Sequence, residues 1–157
     1  MRIYRISLLA ISVFMVFGIA WFGLGIFALF QKVTAGLLLT LSFPLLFIAY
    51  ASYLLRKRIQ GNGFYWDEDG IVIDLNGNKV FWEEIESIRY TNYRGMKSTV
   101  IYPHYTFLEK IRARRNKWMP TTAHSIEWSF IEKPKEFHKN LMKAWEEKQA
   151  SKAQIDR

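Results

Sequence analysis

The sequence predicts an α+β chain in two parts. A two-helix transmembrane hairpin comes first, then a seven-stranded antiparallel sheet closed into a sandwich or barrel and capped by a C-terminal helix. Three observations carry this. The chain has 157 residues, half of them apolar, and 41 of the apolar residues fall in 1–60 against 38 in 61–157. Residues 1–60 carry six basic and no acidic side chains, whereas 61–157 carry 16 basic and 14 acidic, so +6 and +2 make up the formal charge of +8. After Arg58 the unbroken apolar pattern gives way to short β-branched and aromatic runs separated by turn residues. The expected division is a hairpin over 1–60, a cytoplasmic domain over 61–149 and a polar tail over 150–157.

The first span runs from Ile6 to Phe30 and the second from Val33 to Leu55, and neither contains a charged residue. As helices they would reach about 37 Å and about 34 Å, against a bilayer core of roughly 30 Å. A helix that is apolar all round has no face to give to water, and the 97 residues that follow are too few to wrap two of them. A cleaved signal peptide is the rival reading of the first span. Its apolar run is longer than such a segment uses, and no clear small-x-small cleavage site precedes Gln31. The two-residue link Gln31–Lys32 forces the helices antiparallel. Arg2, Arg5, Arg56, Lys57 and Arg58 flank one side and Lys32 alone the other, so both termini are expected in the cytoplasm and the protein in the inner cell membrane as a multi-pass chain. Trp21, Tyr50 and Tyr53 suit anchoring near the interfaces. Neither span carries an ionisable group of the kind that marks an ion path, so an anchor with a second helix bent at Pro44 is favoured over a transporter. Gly18, Gly23, Gly25 and Gly36 allow close helix contact.

Strands are expected at Phe64–Trp66, Ile71–Leu75, Lys79–Phe81, Ser87–Tyr93, Ser98–Tyr105, Phe107–Arg112 and Ser125–Ile131. Asp67–Gly70 reads as a turn, and Asn76-Gly77 is a strong hairpin signal. Pro134 suits the first turn of a helix. Phe137, Leu141, Ala144, Trp145 and Lys148 then form a stripe at helical spacing, and Gln149 to Arg157 is expected to fray. Trp82, Ile85 and Ile88, spaced by three, suit a tight turn onto a core, with Glu83, Glu84 and Glu86 turned to water. Core packing is favoured for Trp82 over ligand stacking.

The segments Asp67-Glu-Asp-Gly-Ile71, Val72-Ile-Asp-Leu75 and Trp82-Glu-Glu-Ile85-Glu-Ser-Ile88 resemble bacterial pleckstrin-homology (PH)-like domains, many of which follow a two-helix membrane anchor. The motifs cover about 67–88, and the outline covers the whole chain. The resemblance implies a PH-like seven-stranded barrel and a membrane address, and it implies no catalytic residues. In eukaryotic relatives that bind phosphoinositides the first strand pair is basic. Here Asp67, Glu68 and Asp69 occupy that turn, so that mode is not expected.

No cysteine is present, which excludes disulfides and thiol chemistry. His104, His124 and His138 are too scattered for a local metal motif. Asp74, Asn76 and Asn78 mimic the start of a calcium loop, but Lys79 stands where glycine is needed and Ile85 where the closing glutamate belongs. No phosphate-cradling glycine loop occurs. An enzyme is not expected, nor a metal or cofactor. One basic cluster stands out: Lys110, Arg112, Arg114, Arg115 and Lys117, followed by Trp118 and Met119. It reads either as a solvated loop or as a contact for anionic lipid headgroups or a protein partner. Nucleic acid ranks last despite a pI near 9.7, because the domain is almost charge-balanced. The expectation is a non-catalytic membrane-anchored binding module on the cytoplasmic leaflet. Its partners would be the bilayer and another membrane protein or a second copy of itself. The alternative is an accessory subunit of a membrane transport or enzyme complex.

Overall fold

The computed structural model describes residues 2–30, 37–116 and 118–155. The chain divides into two compact units. Ile6–Gly61 forms one, and Met1–Arg5 joins Asn62–Arg157 in the other. Among the described residues there are four α-helices and three small antiparallel sheets.

The first unit holds α1 (Leu8–Phe30) and α2 (Leu37–Ile59). The Ser7 hydroxyl lies 3.5 Å from the Ala10 N–H, the N-cap position that satisfies an end-of-helix donor. Phe14 packs on Phe47 and Tyr50, Phe17 on Phe47, and Trp21 on Phe43. Rising numbers on α1 meet falling numbers on α2, so the pair is antiparallel. Gly18 lies under α2 so closely that a Cβ there would stand 2.7 Å from Ile48 Cγ1. Among the described residues, one helix is long and apolar enough to cross a membrane: Leu8–Ala28, with mean hydropathy 2.2. Pro44 lies inside α2, and Arg56, Lys57 and Arg58 fill its last turn. The expected link at Gln31–Lys32 falls outside the described residues.

The second unit begins before the hairpin. β1 (Tyr4–Arg5) pairs antiparallel with β2 (Gly63–Phe64), Tyr4 opposite Phe64 and Arg5 opposite Gly63. Only glycine fits at 63, because a Cβ would collide with the Tyr4 carbonyl oxygen. β3 (Gly70–Val72) pairs with β4 (Lys79–Phe81) across the Asn76-Gly77 turn. Asp74 organises that turn, accepting from the N–H groups of Asn76 and Asn78 at 3.0 and 3.1 Å, and Gly77 supplies a φ of 81°. A 3-10 turn over Trp82–Glu84 leads into β5 (Ile85–Tyr93), which pairs with β6 (Met96–Pro103), and β6 pairs with β7 (His124–Glu127). α4 (Pro134–Ile155) seats Phe137 and Leu141, both fully buried, against Tyr4, Phe64, Ile71, Ile101 and Ile126.

Four expectations need correction. The seven strands form three separate sheets and no closed barrel, because β1 to β4 are only two or three residues long and cannot carry a continuous ladder. The expected strand at Phe107–Arg112 is instead α3 (Leu108–Arg114). Its apolar residues recur at helical spacing, with Ile111 buried one turn after a half-buried Phe107, and Glu109 pairs with Arg112 at 2.7 Å one turn along. The C-terminal helix continues through Ile155 rather than fraying at Gln149, since Gln, Ala and Lys are good helix formers. The last correction is Glu84, which is fully buried rather than turned to water.

Candidate functional site

Glu84 closes the 3-10 turn and faces inward. One carboxylate oxygen accepts the Phe81 N–H at 3.0 Å, as a capping side chain does. Burial left that carboxylate in need of a cation, and α3 supplies one. Arg114 donates to both Glu84 oxygens, at 2.8 and 2.7 Å, and to the Lys79 carbonyl at 2.8 Å. Its guanidinium also lies 4.4 Å from the Phe81 ring centre. Burial on its own would push the Glu84 carboxyl up. The Arg114 hydrogen bonds, the Phe81 N–H and the charges of Arg114 and Lys110 outweigh it and hold the carboxyl below the usual range.

Arg115 is committed in the same way. Its side chain is 12% exposed and lies 3.3 Å from Asp74 Oδ2. Its Nη1 donates to His124 Nδ1 at 2.9 Å. Arginine has no acceptor, so Nδ1 must accept and the neutral imidazole carries its proton on Nε2. Burial, reinforced by the Arg115 charge and opposed by Asp74, lowers the His124 pKa to about 4.

The basic cluster therefore separates into two groups. Arg114 and Arg115 bind the β3–β4 turn and the 3-10 turn to α3 from within. Lys110 is exposed over the Phe107 ring, 5.7 Å from its centre. Arg112 pairs with Glu109 and donates to the Trp118 carbonyl at 3.1 Å. Trp118 is 89% exposed with Met119 beside it, and Lys117 lies outside the described residues. Sequence alone could show the cations but not the carboxylates that neutralise two of them, which sit 30 and 41 residues away.

Of the expected membrane-orienting residues, Arg2 pairs with Glu136 and lies over the Tyr4 ring. Arg5 belongs to β1, and its carbonyl accepts the Glu132 N–H at 3.0 Å. Within the helical unit, Lys57 lies 5.7 Å from the Tyr53 ring centre, Arg58 donates to the Ile6 carbonyl, and Arg56 sits in the last turn of α2.

A third feature is an open cleft of about 470 Å³ between the Trp82 turn and the C-terminal half of α4. Phe81, Trp82, Ile85 and Trp145 line its floor, and Glu68, Asp69 and Glu83 share its rim with Lys148 and Lys152. Trp82 packs on the core and donates its indole N–H to the Asp67 carbonyl at 2.9 Å. Among the described residues no three carboxylate or histidine groups are placed to hold a metal ion. Compared with protein families, with curated proteins and with solved structures, the chain finds no match.

Proposed function

We propose that this chain is a non-catalytic, membrane-anchored interaction module of a bacterial cell membrane, crossing the bilayer twice with both termini in the cytoplasm. The observation that carries the reading is α1, whose Leu9, Val16, Leu24 and Phe27 side chains stand exposed along an uncharged helix. Such a surface is stable in lipid and not in water. α2 supports a second crossing: it packs antiparallel on α1 through aromatic rings and ends in three cations, the pattern of a cytoplasmic flank.

The domain supports an interaction role because three of its carboxylates with lowered pKa act as fasteners. Glu84 is satisfied by Arg114 and a backbone N–H, Asp74 by Asn78 and Arg115, and Asp67 by Lys79 at 2.6 Å. These pairs hold turns together. The exposed Trp118–Met119 pair, with Lys110 and Arg112 beside it, is the face offered to a second membrane protein. Tethering to the same bilayer raises the effective concentration of such a partner, so a modest contact suffices.

Three measurements test this. The full chain should stay in the membrane pellet after alkaline carbonate, and a reporter fused after Arg157 should be active on the cytoplasmic side. A photo-crosslinker replacing Trp118 in cells should give a discrete protein adduct that is lost when Lys110 and Arg112 are changed to Glu. Release of the chain by carbonate, or adducts unaffected by the charge reversal, would overturn the proposal.

A further inference from the structure

The β5–β6 hairpin ends in Tyr93-Arg94-Gly95-Met96, with Tyr93 opposite Met96. Tyr93 is 64% exposed, Met96 62% and Tyr90 44%. Arg94 and Gly95 both have positive φ, 51° and 85°. These are the backbone angles of the two-residue turn that asparagine and glycine fill most easily. An arginine there is held in a conformation L side chains rarely adopt, and its guanidinium lies 5.2 Å from the Tyr93 ring centre. Lys97 stands beside the tip, while Arg89, further back on the same hairpin, lies over the Tyr102 ring, 5.6 Å from its centre. Among the described residues, none of these three cations has a carboxylate partner. The tip thus combines exposed aromatic and thioether side chains with unpaired positive charge.

Its position in the domain matters as much as its composition. β7 runs from His124, opposite Ile101, to Glu127, opposite Ser98, and so travels toward the tip. The chain then turns at Trp128, whose ring lies 5.0 Å from that of Tyr90, and reaches Glu132, whose N–H is donated to the Arg5 carbonyl. Arg5 is paired with Gly63, so the segments on either side of the helical unit in sequence lie side by side in the domain. The Trp118 loop lies at the other end. It leads into the His124 end of β7, and α3 is fastened to Glu84 beside Ile85. Eight strand residues, about 27 Å, separate Ile85 from Tyr93.

From this we infer that the β5–β6 tip is a lipid-contact element: Tyr93 and Met96 enter the headgroup layer of the anionic inner leaflet while Arg94 and Lys97 meet its phosphates. Tyrosine is suited to that layer, with a ring for the acyl boundary and a hydroxyl for water. Trp118, with Arg112 bonded to its carbonyl, is left for the protein partner. The inference rests on the membrane reading above, and it deepens it by naming which end of the domain meets the bilayer.

The chain has no cysteine, so one introduced thiol gives one label. The full chain carrying Met96→Cys, Met119→Cys or Val16→Cys is labelled with an environment-sensitive fluorophore. Each is reconstituted into vesicles of phosphatidylcholine with or without phosphatidylglycerol. The label at 96 should shift to the blue and be quenched by shallow spin-labelled lipid in the anionic vesicles. Changing Arg94→Gly together with Lys97→Gln should abolish that quenching, and Arg94→Gly keeps the turn because glycine favours its angles. The label at 119 should remain water-like. A water-like label at 96, or quenching at 119 in its place, overturns the inference. Deep quenching at Val16 with none at 96 sinks only the tip, whereas no quenching at Val16 sinks the anchor itself.

Discussion

Changing Arg114→Met removes the cation that, among the described residues, is bonded to the fully buried Glu84 carboxylate. Glu84 would keep the Phe81 N–H but lose two charge-assisted hydrogen bonds of 2.8 and 2.7 Å. Breaking a buried ion pair from one side costs about 3–5 kcal/mol. The Arg114 side chain is 30% exposed, so water screens part of the pair, and a loss of about 3 kcal/mol is expected. Urea unfolding of the full chain in detergent, followed by tryptophan emission, measures it. Five of the six tryptophans lie outside the hairpin, so the signal reports the domain. The sign of the pH dependence is a second check. In the wild type the Glu84 carboxyl is held below its ordinary value, so its contribution is complete above the unfolded pKa, 4.5, and is lost as pH falls through the native value. In the variant the burial remains and its main counterweight is gone, which pushes the carboxyl up. The deficit should therefore shrink as acid protonates Glu84. Adding Glu84→Met should recover most of the loss, since two apolar side chains leave no buried charge. A deficit under about 1 kcal/mol at neutral pH, or one indifferent to pH, would refute the claim that this pair fastens α3 to the turn.

Three further outcomes are expected. His124 has its pKa lowered from 6.5 to about 4, so the unfolded chain binds a proton across that window while the native chain does not. Stability should be intact above pH 6.5 and fall by about 3 kcal/mol on the way to pH 4, and His124→Gln should flatten that limb of the pH titration. Gly63→Ala drives a Cβ into the Tyr4 carbonyl and to 2.9 Å from Ile3 Cγ2, so it should cost about 1–3 kcal/mol and expose residues 2–5 to protease. In the helical unit, Gly18→Val would press on Ile48 Cγ1 and the Pro44 carbonyl. It should lower the yield of a disulfide between Phe14→Cys and Phe47→Cys, whose parent rings lie 6.1 Å apart; an unchanged yield would mean that the helices do not meet at Gly18.

Local signals were legible wherever one short segment settles its own structure. Asn76-Gly77 marked the β3–β4 turn, the spacing of Trp82, Ile85 and Ile88 marked the turn onto the core, and the Phe137–Leu141 stripe marked α4. Features that depend on distant partners were not. Tyr4–Arg5 is a two-residue strand hidden in a basic flank, and nothing nearby shows that it pairs with Gly63–Phe64. Glu84 sits in an acidic run that reads as solvated, and its counterion lies 30 residues on. Phe107–Arg112 is a short run without true alternation, and Phe107 and Ile111, four apart, already suit one helix face.

The same limit shaped the reading of charge. Five cations in eight residues, 110–117, dominated the sequence, yet the two at its centre are neutralised inside the fold by Asp74 and Glu84. The β5–β6 hairpin shows less charge and keeps more of it unpaired. Between Glu86 and Glu109 the chain has Arg89, Arg94 and Lys97 and no acidic residue at all. That gap of 22 residues bears on contact with an anionic surface more directly than cation density does. A cation with no carboxylate in reach keeps its full attraction for phosphate, whereas one already bonded must break a pair first. Counting the acids near each cation, before counting the cations, points to the hairpin tip.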